Sequence, residues 1–536
     1  MIHTLFKNLT YALAGATLLA APFLTSCESD VIDLEPVDKI PDHTAYTTPE
    51  RCELAMVGAY DAAQCGKYND LYTRGYPFGA ASIIQGEMRG EDMNLTAQFF
   101  DITYGSTYST VTANNQYMWE NTFTCINIVN TVLKGEEQAV KDGVISQDTG
   151  NQYMGECYFL RALCYHYLMM HFALPYNVSG NNDYGMPLYL TPHNTKEEIA
   201  DAEKIGRSTV QETYAQILKD LDNAEALLPE TVAANPITRA GKGAAIALKT
   251  RVYLHMRDWS NVIAEAKKLA DVTEASFTSA IGGYRLENNP LTPFTSYSNN
   301  TESIFSIENS SDDSGDINGA MSAMMSVRQG GRAIITSSPT LYNSSYWLAN
   351  DKRRNWLLYH EADDYYYCDK YQNPITNEEY APIIRYAEVL LNYAEAAARN
   401  NDSASALKLL NAVRNRSLAA PETEAYTAAA FADKKALLEA ILWERRIEFH
   451  GEGRRWEDIH RLAADDLCPS NGIPAKIAYD NAKNQGAFVA NSEVKPAWYG
   501  GSTKAIPYTD KRFIWPIPLN DLLRNPTLAQ QQNAGW

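Results

Sequence analysis

Residues 152–172 form a run that is apolar nearly all the way round a helix, with Glu156-Cys157-Tyr158-Phe159-Leu160-Arg161-Ala162-Leu163 at its centre. Such a helix has no face to give to water, so other elements must surround it. The chain supplies them. Thr48-Pro49-Glu50 opens a helix to about Gln64, with an N-cap, a first-turn proline and then an acid. Helical spacing also covers about 114–138, 208–229, 242–256 and 259–270. Ser208-Thr209-Val210-Gln211-Glu212 begins the 208–229 helix and Pro229 stops it. With 536 residues, a large core needs neither disulfides nor metals.

Helix pairs then recur. Residues 242–256 and 259–270 are separated by Arg257-Asp258, and 384–399 and 404–416 by Asn400-Asn401-Asp402. Both pairs place small residues where two helices cross, followed by a tight polar turn. That is the logic of tetratricopeptide-type hairpins, here divergent and unevenly spaced. The predicted fold is therefore mostly α: helical hairpins as scaffold, long irregular loops and a few short strands. The loops cover about 66–112, 273–382 and 468–518, and loops this long commonly carry function. Tyr365-Tyr366-Tyr367 reads as a strand, which sets Tyr366 on the face opposite its two neighbours.

The amino terminus reads as an export signal. Lys7 precedes an apolar stretch over 9–24, which is too short for a confident membrane span. Leu24-Thr25-Ser26-Cys27 looks like a lipobox, which would leave Cys27 as a lipidated amino terminus. The acidic, proline-punctuated residues after it read as a tether to about 47. The other cysteines are Cys52, Cys65, Cys125, Cys157, Cys164, Cys368 and Cys468, an odd number with no CxxC. Few or no disulfides are expected. The net charge is −19, which repels phosphate backbones and argues against nucleic-acid binding. Tyr is abundant, 34 against 15 Phe, and suits recognition of polar ligands as well as helix contacts.

Catalytic motifs are mostly missing. His360-Glu361-Ala362-Asp363-Asp364 lacks the second histidine of HExxH, and neither GxSxG nor a phosphate loop occurs. Ser310-Ser311-Asp312-Asp313-Ser314-Gly315-Asp316 has oxygens suited to calcium but not the EF-hand order, and reads better as a solvated acidic loop. No metal site, cofactor or catalytic residue is predicted.

Several runs belong together. They are the 156–172 helix, the 208–229 helix, and Arg385-Tyr386-Ala387-Glu388-Val389-Leu390-Leu391-Asn392-Tyr393-Ala394-Glu395-Ala396. Glu444-Arg445-Arg446, Glu448-Phe449 and Gly451-Glu452-Gly453-Arg454-Arg455-Trp456-Glu457-Asp458 join them. So do Trp515-Pro516-Ile517-Pro518 and the closing Gln532-Asn533-Ala534-Gly535-Trp536. In these runs the chain resembles the SusD/RagB family of Bacteroidetes outer-membrane lipoproteins. The resemblance implies a SusD-like fold and a lipid-anchored protein on the outer membrane, facing the cell surface. It implies binding of an oligo- or polysaccharide without turnover. It also implies delivery to a SusC-like TonB-dependent transporter, over which the protein forms a lid. On this reading 1–26 is the signal peptide and 27–47 the tether. Residues 48–272 are an N-terminal tetratricopeptide-like region with a ligand-loop insertion at 66–112. Residues 273–536 are the C-terminal SusD/RagB region, with ligand loops at 273–382 and helical pairs at 384–462. The charged residues of the matching runs, Arg385, Glu388, Glu395, Arg446, Glu448, Glu452 and Arg455, read as ion pairs of the scaffold.

The ligand surface must then come from the loops. Sugars stack their flat faces on aromatic rings and pair their hydroxyls with planar polar groups. Tyr346 and Trp347 are the expected platform, with Asp92, Asn94 and Arg332 as polar partners and Tyr342, Phe99, Tyr76 and Tyr297 around them. Each aromatic reads as readily as core packing against the helices. A peptide ligand on the same fold, an anchored glycosidase and a protein-binding adaptor are the alternatives.

Overall fold

The computed structural model describes residues 44–68, 71–273, 277–501 and 503–536. The expected leader, Cys27 and most of the tether lie outside them. Eleven helices of eight or more residues occur among the described residues: α1 Pro49–Gln64, α2 Ala80–Met88, α3 Ala113–Lys141, α4 Gln147–Phe172, α5 Val210–Leu227, α6 Lys242–Met256, α7 Trp259–Leu269, α8 Tyr386–Arg399, α9 Ser403–Asn415, α10 Lys434–Glu448 and α11 Arg454–Arg461. As its all-round apolarity demands, α4 is enclosed, with α3 on one side and α5 on the other. The stacking then continues α5–α6, α6–α7, α7–α8 and α8–α9. The two hairpins seen in the sequence are thus joined directly, α7 against α8. The two central charged residues of α4, Glu156 and Arg161, are paired inside the protein. Glu156 accepts from Arg239 at 2.6 Å, and Arg161 grips Asp220 at 2.7 Å.

The capping signals act as predicted. Thr48 caps α1, and Thr209 with Glu212 forms a capping box on α5. Both hairpin turns use one device. Arg257 and Asn401 adopt left-handed backbone, and the aspartate after each caps the next helix.

Among the described residues, ten short strands form five antiparallel pairs: β1 Cys65–Tyr68 with β2 Leu71–Arg74, β3 Met93–Leu95 with β5 Ile335–Ser337, β4 Ser303–Ile307 with β8 Ala381–Arg385, β6 Leu358–His360 with β7 Tyr366–Cys368, and β9 Gly472–Ile473 with β10 Ile506–Pro507. Around β7, Tyr365 and Tyr367 enter one apolar cluster with Ile477 and Trp498, while Tyr366 faces Tyr342, as the alternation predicts. The 66–112 insertion is a different matter. Its centre is α2, whose nine residues are all buried, because Ala80-Ala81-Ser82-Ile83-Ile84 packs inward near α11. Much of the expected ligand loop is core. One apolar cluster runs from Met56 to Leu528, so the regions before and after 272 share an interior. The seven described cysteines are free thiols.

Candidate ligand-binding surface

The ladder between β3 and β5 brings the two predicted ligand loops to one place. Asn94 stands opposite Thr336 and Leu95 opposite Ile335. Beyond the ladder, Thr96 N–H donates to the Ile334 carbonyl at 3.0 Å. The chain before β5 and the chain after β3 therefore emerge side by side, carrying Arg332 and Phe99. The Arg332 guanidinium lies 4.8 Å from the centre of the Phe99 ring. Phe99 is 43% exposed, and Arg332 is exposed beside it. Phe100, edge-on to Phe99 at 4.9 Å between ring centres, points into the core and anchors the turn. A third segment joins them: Arg332 donates to the Asn318 side-chain oxygen at 2.7 Å and to the Ile317 carbonyl at 3.2 Å. Ile102 and Ile317 are exposed as well. The result is an apolar surface edged by a guanidinium and an amide, groups that stack on a flat ring and hydrogen-bond its substituents.

The 326–333 loop also carries Arg328. Its guanidinium is held by both Asp369 oxygens at 2.8 Å and lies 5.1 Å from the centre of the Tyr359 ring. Tyr359 is 37% exposed, and its neighbour His360 stacks on Tyr366 at 4.6 Å. Sequence reasoning missed Tyr359, His360 and Arg328. Leu358-Tyr359-His360 is a strand of only three residues, too short to show alternation, although its exposed aromatics sit within a predicted ligand loop.

Most of the expected site residues are elsewhere. Trp347 is 1% exposed, wedged between the Tyr342 ring and the Arg354 guanidinium. It offers no face to a ligand. Tyr342 is buried and stacks on Tyr366 at 4.6 Å. Tyr346 is half-buried, flat against Trp443 with an interplanar angle of 10°, so one of its faces is covered. Tyr76 is buried, its hydroxyl bonded to Gln85 and Asn114. Asn94 is buried between the hydroxyls of Tyr365 and Tyr104. Tyr297 is half-buried against Tyr380, apart from the ladder. Asp92 is buried in an ion pair with Arg446, whose Nε lies 3.0 Å away. Burial, with the neighbouring Glu91 charge, pushes the Asp92 carboxyl up. At Glu91, Arg446 and Arg455 outweigh burial and hold the carboxyl down to about 2. Of the expected set, only Phe99 and Arg332 are exposed and together.

The other charged residues of the scaffold runs are paired, as their pattern predicts. Arg385 contacts Glu302, Glu448 and Glu452 at 2.5, 3.1 and 2.7 Å. Arg251 holds Glu388, and Arg461 holds Glu395. Burial raises Glu448, but Arg416, Arg385 and Arg353 outweigh it and hold the carboxyl well below the usual range. These acids position α8, α10 and α11 against one another. Among the described residues, no three histidine, cysteine or acidic side chains gather as a metal cluster, and no helix is long and apolar enough to cross a membrane.

Comparison with known proteins agrees with this architecture. Residues 337–536 match the model of the SusD family, and residues 68–254 match a family described as starch-binding and associating with the outer membrane. A SusD-like protein of Formosa agariphila is 25% identical, over 98% of this chain and 99% of its own. A SusD-like protein of Bacteroides ovatus is 24% identical, over 84% and 82%. The crystal structure of a SusD superfamily protein from Bacteroides fragilis superposes with a TM-score of 0.72 at 27% identity, covering 90% of this chain and 99% of that one. Surface glycan-binding protein A from Bacteroides uniformis shares the fold, with a TM-score of 0.67 at 20% identity over 91% and 100%. With both halves matching, and with relatives and folds that run nearly end to end, the chain belongs to the SusD-like proteins.

Proposed function

We propose that this protein binds a glycan at the outer membrane and does so at the Phe99–Arg332 surface. The observation that carries the reading is the exposed Phe99 ring, set beside a guanidinium and an amide by the β3–β5 ladder. The names of its relatives support a carbohydrate ligand: one matching family is described as starch-binding, and one fold neighbour is a surface glycan-binding protein. The buried, ion-paired state of Glu448 and Glu452 supports binding without hydrolysis by those acids. In this reading Cys27 carries the lipid and residues 27–47 tether the globule at the cell surface. The captured glycan passes to a SusC-like TonB-dependent transporter. The test is calorimetric titration of the protein with a panel of polysaccharides, oligosaccharides and peptides, followed by analysis of each mixture for cleavage. Saturable glycan binding that Phe99→Ala weakens, with the ligand recovered intact, is the expected result. Cleavage of the ligand, or binding of peptides alone, overturns the reading.

A further inference from the structure

Two arginines of the 326–333 loop each lie beside an exposed ring, and they differ in how their guanidinium is used. Arg328, near Tyr359, turns the edge formed by Nε and Nη2 to Asp369, with both contacts at 2.8 Å. That edge is a planar fork of two parallel N–H groups, which matches two oxygens of one anion. The protein uses the same edge in the same way at Arg512 on Asp510 and at Arg455 on Glu91.

Arg332, near Phe99, is anchored otherwise. Its Nη1 alone makes the contacts to Asn318 and to the Ile317 carbonyl, and both acceptors are neutral. Among the described residues, nothing accepts from its Nε or Nη2, and neither Asp101 nor any other acid pairs with it. Asp101, close to Phe99 in the chain, accepts instead from Ile102 N–H at 2.7 Å. The free edge is nonetheless held in place. The Arg332 N–H donates to the Ala323 carbonyl at 2.9 Å, and the Gly331 N–H donates to the Arg328 carbonyl at 2.8 Å. The Nη1 contacts and the Phe99 ring fix the far end of the side chain. A guanidinium already ordered loses less freedom when it binds. The exposed ring thus stands beside an oriented positive fork that the chain itself does not neutralise. The net charge of −19 repels an anion only at a distance. At physiological ionic strength the screening length is about 8 Å, so a group at the ring responds mainly to Arg332.

We propose that the ligand of the Phe99–Arg332 surface is an acidic glycan. The Nε–Nη2 edge of Arg332 takes two oxygens of a carboxylate or a sulfate ester on the sugar that stacks at Phe99. This inference rests on the glycan-binding reading above and narrows it. Phe99 supplies contact to any sugar, whereas Arg332 sets the preference for charge.

The probes are acidic polysaccharides paired with neutral forms: polygalacturonate and its methyl ester, alginate and carboxyl-reduced alginate, κ-carrageenan and its desulfated form. In calorimetric titration of the protein, at least one acidic form should bind. Its neutral counterpart should bind about tenfold more weakly or worse, as expected when a charge-assisted pair is lost. Whether the uronates or the sulfated galactan bind identifies the anion. Arg332→Gln should lower affinity for the acidic form to that for the neutral one, with an unchanged melting curve. Arg332→Lys keeps the charge without the fork and should restore part of the preference. Added salt should weaken the acidic form more than the neutral one. Equal affinity for the two forms, or a charge preference that survives Arg332→Gln, overturns the proposal. So does binding of neutral glycans alone that Phe99→Ala weakens, a result that leaves the glycan-binding reading standing. Binding of no glycan at all overturns both.

Discussion

Glu448 lies between Arg385 and Arg416 and also reaches Arg353, with all four side chains buried. Removing one partner of such a group leaves uncompensated charge in a dry place. Glu448→Ala should therefore cost about 3–5 kcal/mol in urea unfolding, far more than the loss of a surface pair. Glu87 behaves in the opposite sense. Burial pushes its carboxyl up to about 8, only partly offset by the Gly453 amide that donates to it at 2.6 Å. The unfolded chain releases this proton near the ordinary value of 4.5, so the native state is penalised as pH rises from there to about 8. Glu87→Gln removes that penalty. The variant should match the parent near pH 4.5 and exceed its stability near pH 8, as urea unfolding at the two pH values will show. Glu91 and Glu388, both held down to about 2, act on the acid side. Their contribution is complete above the usual carboxylate range and is lost as pH falls towards 2. Trp347 makes the same point about burial among aromatic residues. Its indole fills the cluster of Leu341, Tyr342, Leu358 and Ile447. Trp347→Ala should cost about 3–5 kcal/mol by creating a cavity.

The α6–α7 and α8–α9 hairpins depend on their turns. Asp258 accepts from Asn261 N–H and Asp402 from Ser405 N–H, each at 3.1 Å. Asp258→Ala and Asp402→Ala should each lower stability by about 1 kcal/mol, read as a shift in the denaturant midpoint with an unchanged slope. These turns were legible in the sequence because capping is local: an aspartate meets an amide three residues ahead, whatever the rest of the chain does. The start of α4 was less legible. Gln147 and Asp148 show no apolar pattern, and only the Ser146 cap, which accepts from Thr149 N–H, marks the true beginning. The β3–β5 ladder was not legible at all. Each strand has three residues, too few to establish a period, and the partners lie far apart in sequence.

At the scale of the molecule, the proposed glycan surface exists only because that ladder sets the segment after β3 beside the segment before β5. Phe99→Ala should weaken glycan binding by about three- to tenfold, the value of one aromatic stacking contact, without altering the thermal melt. Saturating glycan should raise the melting temperature of the parent more than that of the variant. The helical scaffold, its caps, its paired hairpins and its resemblance to the SusD-like proteins were all contained in the sequence. Helical periodicity, capping and the charged scaffold motifs are written within a few residues of one another. Exposure is not. Asn94 is closed off by Tyr365 and Tyr104, Asp92 by Arg446, and Trp347 by Arg354 and Tyr342, while Phe99 stays 43% exposed with Arg332 beside its ring. The sequence by itself determined that aromatic and polar residues would populate the loops. Only the tertiary structure decided which of them face solvent, because burial is the work of neighbours that come from remote parts of the chain.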